Sequence, residues 1–383
     1  MRGHISKRGN KYSFVVDIGR DPVTKKRRQK RVSGFDTKKQ AREAMVKMIA
    51  EINKGTYVEP SNKKFGEYLD DWLKYKEKRV ANSTYMFYRS YVNNHIKPAL
   101  GDIRLQDLRP IILQRFYDSL LENGELSKRS IRHIQRIVSI ALKMAVKLGE
   151  IQTNVANAVE PIKVPKKEQR FWTIEEVEIF LDAARGHIHF IAFYLAIFTG
   201  MRQGEILGLK WDCVDFNNKT IYVQRAIKRV NGGGELQDLK NSSSYRSISM
   251  SDSLVKELKK HKKRQNEIKL MMGKAYNDQG FVVATKTGNF VLPSNLSRAF
   301  RLIRNRLEVK QIRFHDLRHT HASLLFSQNV HPKIVQERLG HSSIEMTLDT
   351  YSHMLPNMQE SAAQKLDEIF GKNDDFESDV TNS

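Results

Sequence analysis

The chain has 383 residues, of which 40% are apolar. This is enough for buried cores and excludes an intrinsically disordered chain, and the length predicts two or three domains. Lys and Arg number 66 against 43 Asp and Glu, a net charge of +23. So large an excess indicates a polyanionic partner, with nucleic acid as the first candidate. A basic surface that is merely solvated is the alternative.

Cysteine content and hydropathy narrow the class further. The single cysteine, Cys213, excludes an intramolecular disulfide framework and a zinc site built on cysteines. It follows the apolar run after Leu209, which predicts a buried, inert thiol. No apolar stretch is long enough to cross a bilayer, and the N-terminal MRGHISKRGN lacks the apolar core of a signal peptide. We therefore expect a cytoplasmic protein with no membrane partner.

Residues 1–60 form a basic module, with sixteen Lys or Arg against six Asp or Glu. The segment KYSFVVDI alternates apolar and polar residues as a half-exposed strand does, and a second strand is predicted around Gln29 to Phe35. Thr37 and Gln40 make a capping box before a helix that runs to about Asn53. A small sheet with one helix behind it and a Lys/Arg-rich face suits contact with a DNA groove or backbone.

A linker, YVEPSNKK, follows, and from Phe65 to about Val159 the pattern is helical. Further helices are predicted from Ser83, over Leu105 to Leu121 and over Ser127 to Leu148. The last of these carries an apolar stripe beside a basic one that consists of Arg129, Arg132, Arg136, Lys143 and Lys147. Such a stripe could follow a phosphate backbone, although a solvated helix face is the commoner meaning.

A second linker, IKVPKKEQR, precedes a larger C-terminal domain that Thr173 and Glu176 open with another capping box. An apolar helix from His189 to Phe198 runs into TGMRQGEILGLKW. The remaining predicted elements are strands at Ile221 to Arg225 and Ser247 to Met250, with GGGELQDLKNSSSYR between them as a flexible hairpin arm, and helices at Leu254 to Met272, at Leu296 to Leu307 and through the stretch after His315.

Five residues of this domain suit attack on a DNA phosphodiester without a metal. Such a reaction needs guanidinium groups that donate hydrogen bonds to the non-bridging oxygens, a nucleophile in line with the leaving group, and a general acid. Arg202 follows a glycine turn, and His315 and Arg318 lie one helical turn apart in HDLRH. His341, in LGHSS, is close to a helix start, where backbone N–H groups attract phosphate. Tyr351 lies ten residues beyond it.

Other interpretations of these residues are open. A lone tyrosine is more often part of a core or a surface than a nucleophile. His315, His319 and His321 could suggest a zinc site, since i and i+4 is a ligand spacing. A convincing third ligand is lacking, however, and zinc would leave Arg202 and Arg318 unexplained. Structural or solvent-facing roles are expected for His319, His321, His331 and His353.

In their order and spacing these residues resemble the signature of the tyrosine recombinases, the phage integrase family. Twenty-three residues separate Arg318 from His341. The resemblance implies a mainly α fold with small β-sheets (α+β). It implies an arm-type DNA-binding domain with a three-stranded sheet and a helix (1–58), a SAM-like helical core-binding domain (63–161), a mixed α/β catalytic domain (169–370) and a disordered acidic tail (371–383).

The resemblance also implies a mechanism. Tyr351 attacks the scissile phosphate and leaves a 3′-phosphotyrosyl link, while Arg202 and Arg318 hold the non-bridging oxygens. His315 manages the tyrosine proton and His341 donates a hydrogen bond to the phosphate. Lys240 matches the hairpin lysine that protonates the leaving 5′ oxygen, although Lys228 or Lys210 could also reach the site. Glu205 resembles the acidic residue that buttresses the site. No cofactor, metal or ATP is needed.

As partners, the resemblance implies double-stranded DNA at core and arm sites, a homotetramer that works through a Holliday junction, a host DNA-bending protein and an excisionase. The helix at Gln359 to Phe370 would dock on a neighbouring subunit. The expected function is integration and excision of a mobile element in a bacterial host nucleoid. The alternatives are a DNA-binding regulator with vestigial catalysis, a type IB topoisomerase and a chromosome-dimer resolvase, which would normally lack the basic N-terminal module.

Overall fold

The computed structural model of the chain is mainly helical with small antiparallel sheets, and the predicted fold class is confirmed. The structure describes residues 3–20, 24–55, 57–165, 170–230, 233–239, 245–351, 363–364 and 366–367, and for residues 229, 346 and 349–351 only the backbone. The chain divides into two compact units, residues 1–166 and 167–383.

The first unit begins with a three-stranded antiparallel sheet and one helix. Its elements are β1 (Gly3–Arg8), β2 (Lys11–Arg20), β3 (Arg27–Phe35) and α1 (Lys38–Asn53), and the strand order is β1-β2-β3. The pattern of apolar residues did not reveal β1, because GHISKR holds a single large apolar residue. The predicted capping box of Thr37 and Gln40 is present.

Alternation along β2 builds the core of this sheet. Phe14 and Val16 share its inner face and are buried against Ala41 and Met48 of α1. The side chains of β3 are largely exposed, among them those of several arginines. The sheet therefore presents a basic outer face, as its sequence predicted.

The rest of the first unit is helical. Its elements are α2 (Phe65–Glu77), α3 (Asn82–Tyr91), a π-helical turn (Val92–Ile96), α4 (Lys97–Leu100), a 3-10 turn (Leu105–Asp107), α5 (Pro110–Glu122), α6 (Lys128–Lys147) and a second 3-10 turn (Val155–Ala158).

The predicted helix from Leu105 to Leu121 is wrong in its first part. Leu105–Asp107 is only a 3-10 turn, and α5 begins at Pro110. The cause is the proline, whose ring disfavours helical backbone in the preceding residue and suits the first position of a helix. Arg109 is accordingly extended, with φ −127° and ψ 153°.

Helix α6 has the two stripes that were predicted. Ile131, Ile134 and Val138 are fully buried in the helical core. The basic residues of the other stripe are all exposed; they are Arg129, Arg132, Arg136, Lys143 and Lys147. The helix is thus held by its apolar face and leaves a row of cations on the surface.

The second unit combines helices with one three-stranded sheet and one hairpin. Its elements are α7 (Ile174–Ala184), α8 (Phe190–Thr199), α9 (Gln203–Gly208), a 3-10 turn (Trp211–Cys213), β4 (Val214–Asp215), β5 (Thr220–Val223), β6 (Arg225–Val230), β7 (Gly233–Asp238), β8 (Arg246–Ser249), α10 (Asp252–Met272), a 3-10 turn (Gly273–Ala275), α11 (Pro293–Arg304), α12 (Asp316–Ser327), α13 (Pro332–Leu339) and α14 (Ile344–Tyr351).

The hairpin predicted after β5 is present, since Gly233–Asp238 is strand β7 and pairs antiparallel with β6. Strand β6 in turn lies against α9. A Cβ on Gly204 would come within 2.7 Å of the Ile227 carbonyl oxygen, and a Cβ on Gly208 within 2.8 Å of the Ala226 Cα. The hairpin is therefore anchored because two glycines allow its backbone to approach the helix.

An aromatic cluster forms the centre of the second unit. Trp172, Phe180, Phe193 and Phe300 are fully buried, and Phe180 lies 4.9 to 5.4 Å, centroid to centroid, from the other three rings. Trp172 also donates its backbone N–H to Thr320 Oγ1 at 3.1 Å, which ties α12 to the entry of the unit.

Some predictions fall on residues that the structure does not describe. These include Lys240, the tail 371–383 and most of the helix predicted from Gln359 to Phe370, of which 363–364 and 366–367 are described as helical. In the described part of the chain no helix has both the length and the apolarity of a membrane span.

We expect Leu142→Ala to destabilise the first unit by about 2–5 kcal/mol, because Leu142 is fully buried in the helical core and its truncation leaves a cavity. Leu148→Ala is the matched control, since Leu148 is 58% exposed at the end of the same helix. Urea unfolding followed by circular dichroism measures both, and equal effects of the two substitutions would contradict the assigned packing.

Candidate active site

The site is built around the turn between α8 and α9. Gly200 ends α8 with a positive φ of 65°, and a Cβ there would lie 2.6 Å from His321 Cδ2 and 2.7 Å from Leu339 Cδ2. Only glycine fits this conformation and this space. The turn places Arg202 at the N-cap of α9, so the prediction that Arg202 follows a glycine turn is confirmed.

The Arg202 guanidinium is held by two partners. Its Nη1 donates to Glu205 Oε1 at 2.9 Å and its Nη2 to the Gly340 carbonyl oxygen at 3.1 Å. The Arg202 backbone N–H donates to Glu205 Oε2 at 2.8 Å. The side chain keeps 38% of its surface exposed, so the fixed guanidinium remains accessible to an anion.

Glu205 is buried beneath this arginine, with 3% of its side chain exposed. Its Oε2 also accepts a hydrogen bond of 2.8 Å from Nη2 of Arg246, the first residue of β8. Burial acts to raise the pKa of Glu205, but the bond and charge of Arg246, together with Arg202, outweigh it and hold this pKa below its ordinary value. The carboxylate is therefore charged and links two segments of the unit.

Helix α12 contributes the second arginine. Its first turn is fixed by Asp316, which is buried and accepts three bonds from Arg313, from the backbone N–H, Nε and Nη2, at 2.7 to 3.1 Å. Two residues further, Arg318 is buried and donates from Nη1 to the Gly200 carbonyl oxygen at 2.8 Å. The α8–α9 turn thus holds Arg318 through a carbonyl and presents Arg202 beside it.

His315 immediately precedes α12, and its ring keeps an exposed face. Partial burial lowers its pKa, and the charge of Arg318 lowers it further. The His319 ring packs edge-on against it at 5.7 Å, and burial lowers the His319 pKa to about 4. His315 is therefore neutral near pH 7 and can accept a proton.

His341 follows the C-cap of α13, where Gly340 has a φ of 65°. Its Nδ1 lies 2.8 Å from Thr347 Oγ1, and its carbonyl oxygen accepts a bond of 3.0 Å from Gln336 Nε2. Burial lowers the pKa of His341 to about 4, with further lowering by the charges of Arg318 and Arg202. The ring is neutral at neutral pH and fixed in orientation by Thr347.

The structure thus brings together Arg202, Glu205, His315, Arg318 and His341. Tyr351 is the last residue of α14, which packs on α13, and its backbone alone is described. Lys240 lies outside the described residues. Of the two other lysines considered, Lys210 lies with its Nζ 5.1 Å from the Phe281 ring centroid, and Lys228 is on β6.

The structural roles expected for other groups fit their surroundings. His321 is buried, and its Nδ1 lies 2.8 Å from the Ile197 carbonyl oxygen. His331 caps α13 by accepting a hydrogen bond from the Lys333 backbone N–H. Cys213 is buried, and burial raises the pKa of its thiol to about 11. Among the residues that the structure describes, no group of three or more His, Cys, Asp or Glu could hold a metal ion.

Sequence reasoning missed Arg246, the Gly340 carbonyl and Thr347. A signal for Arg246 existed, because it shares one strand face with the buried residues Ile248 and Met250, and a cation on an inward face needs a partner. The Gly340 carbonyl carried no signal, since any residue has one.

Comparison with known proteins identifies the family of the chain. Residues 170–358 match the phage integrase family, 64–121 its N-terminal SAM-like domain and 4–52 an arm DNA-binding domain. A protein named Tyrosine recombinase XerC-like, from Caldanaerobacter subterraneus subsp. tengcongensis, is 32% identical over 94% of this chain and 96% of its own length. The chain belongs to the phage integrase family. It is a tyrosine-type site-specific DNA recombinase.

Other members of the family are similar along most of their length. The ICEBs1 integrase of Bacillus subtilis is 28% identical over 94% of this chain and 97% of its own. The Tn1549 transposon integrase, solved with a circular intermediate DNA, superposes with a TM-score of 0.66 at 20% identity, over 79% of this chain and 99% of that one. A lambda integrase tetramer bound to a Holliday junction gives 0.56 at 21% identity, over 89% and 92%. These two superpositions establish the shared fold.

Buried histidines make the stability of this integrase unit depend on pH. Burial lowers the pKa of His321 to about 3, so the unfolded chain binds its proton more readily than the folded one, and stability falls as pH drops from about 7 toward 3. At pH 5 this group alone should cost about 2 kcal/mol relative to neutral pH. We expect His321→Asn to flatten the pH dependence of the thermal midpoint between pH 7.5 and 5. His4→Asn, at an exposed position of β1, should leave it unchanged.

Proposed function

We propose that this recombinase cleaves one DNA strand by attack of Tyr351 on a phosphodiester held between Arg202 and Arg318. The observation that carries the proposal is the pair of arginines from separate helices fixed around one turn, each anchored by a contact of at most 2.9 Å. A pentacovalent phosphate carries negative charge on its non-bridging oxygens, and fixed guanidinium groups stabilise that charge without rearrangement. The tyrosine oxygen bonds to phosphorus while the bond to the 5′ oxygen breaks.

Neutral and cationic groups around the phosphate accept and donate the protons of the reaction. Neutral His315 accepts the proton of Tyr351, in keeping with its lowered pKa. His341 donates a hydrogen bond from Nε2 when the Thr347 hydroxyl donates to its Nδ1. Lys240 gives a proton to the leaving 5′ oxygen. The phosphotyrosyl bond conserves the bond energy, so that religation needs neither ATP nor metal.

The three parts of the chain divide the work of DNA binding. Residues 1–58 bind arm sites through their basic sheet, residues 63–161 bind the core site through the exposed cations of α6, and residues 169–370 carry the chemistry. The matches to arm-binding and SAM-like domains support this division. The cations of α6 lie three, four or seven residues apart, as a helix face that neutralises successive phosphates requires.

Recombination joins two duplexes, and four subunits assemble on them through a Holliday junction. The lambda integrase tetramer on a Holliday junction supports this assembly, since one chain of that tetramer superposes on 89% of this chain. The recombinase integrates and excises a phage or integrative element in the bacterial nucleoid. It does so with a host DNA-bending protein and an excisionase. Relatives that include the ICEBs1 integrase and a Staphylococcus phage L54a integrase support a mobile element.

We expect Tyr351→Phe to abolish the covalent protein–DNA adduct that forms with a nicked suicide substrate, because phenylalanine has no nucleophilic oxygen. Tyr222→Phe is the control, since Tyr222 is exposed on β5 of the same unit. Denaturing gel electrophoresis detects the adduct. The proposal fails if the wild type forms none, or if Tyr351→Phe forms as much as Tyr222→Phe.

The lysine is tested by changing the leaving group. We expect Lys240→Ala to slow cleavage at least ~10²-fold on an ordinary phosphodiester. A 5′-bridging phosphorothiolate should restore the rate, because a thiolate leaves without a proton. Lys210→Ala and Lys228→Ala serve as matched substitutions. If one of these two is the variant that sulfur rescues, that lysine and not Lys240 is the general acid.

A further inference from the structure

A guanidinium that is absent from the mechanism above lies directly behind both phosphate-binding segments. Arg246 begins β8 and is paired in register with Val223 of β5. Only 6% of its side chain is exposed, and its Nη2 and Nε both donate to groups of the protein itself. A buried arginine costs desolvation energy and is retained only with good partners, so its contacts show what it stabilises.

The contacts of Arg246 go to two segments of the site. Its Nη2 donates to Glu205 Oε2 at 2.8 Å, and its Nε donates to the Arg338 carbonyl oxygen at 2.7 Å. Its Cδ and Nη1 lie 3.0 and 3.2 Å from the place where a Cβ on Gly340 would stand. One planar fork therefore touches the carboxylate under Arg202 and the end of the helix that precedes His341.

These contacts close a ring of interactions. Arg246 donates to Glu205, and Glu205 accepts from Arg202. Arg202 in turn donates to the Gly340 carbonyl oxygen, two residues beyond the Arg338 carbonyl that Arg246 binds. Each Glu205 carboxylate oxygen accepts a hydrogen bond from a different guanidinium. The plane of the Arg202 guanidinium is thus set by a carboxylate that Arg246 fixes from behind.

We propose that Arg246 is a positioning residue that sets the Arg202 guanidinium and the Gly340–His341 turn in register with each other for phosphate binding. It acts through Glu205 and the backbone and does not touch DNA. The role rests on the proposed covalent chemistry of Tyr351.

Loss of Arg246 should affect the reaction more than binding. Glu205 would stay buried with one guanidinium instead of two, and the carboxylate would shift toward Arg202 or take up a proton; either change moves Arg202. Lysine keeps the charge but cannot donate from two fixed nitrogens to the carboxylate and the Arg338 carbonyl. A displacement of about 1 Å at a phosphate-binding group can cost about 10²-fold in rate.

The test is a double-mutant cycle on full-length protein, read as the single-turnover rate of adduct formation on the suicide substrate at saturating protein. We expect Arg246→Gln to lower this rate about 10²-fold and Arg246→Lys about tenfold, with the dissociation constant for the core duplex changed less than about threefold. Adding Arg246→Gln to Glu205→Gln should slow cleavage by no more than about threefold beyond the slower single variant.

Arg338→Lys is the matched control for a merely structural role. Arg338 joins α13 to β8 and α8 by donating to the carbonyl oxygens of Ser249 and Phe198, both at 3.2 Å. We expect Arg338→Lys to lower the thermal midpoint and to change the cleavage rate less than about threefold. The reason is that the side-chain bonds of Arg338 go to these carbonyls and not to the Glu205 carboxylate.

The role of Arg246 would be overturned if the rate losses of Arg246→Gln and Glu205→Gln multiply in the double variant. It would also be overturned if Arg338→Lys loses as much cleavage rate as Arg246→Lys, or if the loss of DNA affinity in the Arg246 variants equals their loss of rate. If Arg246→Gln does not fold, Arg246→Lys and the double variant, which lacks both buried charges, decide the question. Wild-type protein without any adduct would overturn the Tyr351 chemistry itself and this role with it, whereas a wild-type adduct with multiplicative variants overturns only the role of Arg246.

Discussion

The carboxylate of Glu205 lies between two guanidinium groups, one from its own helix and one from a strand more than forty residues later. Burial alone would favour its neutral form, and the two arginines keep it charged. A charge held in this way cannot move without losing a partner, and the loss leaves an unpaired ion in the interior. The position of the Arg202 guanidinium therefore depends on this interaction.

Burial, reinforced by the same cationic surroundings, keeps the histidines of the site neutral. Burial lowers the pKa of His341 and His315, and the charges of Arg318 and Arg202 lower both further. The site therefore concentrates its positive charge on arginines, which cannot lose it, and keeps its imidazoles neutral. Such a division suits a reaction in which an anion must be held while a proton moves.

Much of the fold could be predicted from local patterns. The capping boxes at Thr37 and Thr173 and the two stripes of α6 are all present, because short-range hydrogen bonds and helical periodicity are properties of adjacent residues. Local patterns did not reveal strand β1 or the bounds of the strands in the β6–β7 hairpin. Their formation depends on pairing with β2 and on packing against α9, which no short window of sequence contains.

By itself the sequence determined the family to which the chain belongs. The order Arg202, His315, Arg318, His341 and Tyr351 indicated the family, since spacing in one chain is a property of sequence. Only the tertiary structure decided that Gly200 joins the two arginine segments and that Glu205 is shared with Arg246. These are contacts between distant residues, and they form because burial forces each charged or polar group to find a partner in space rather than along the chain.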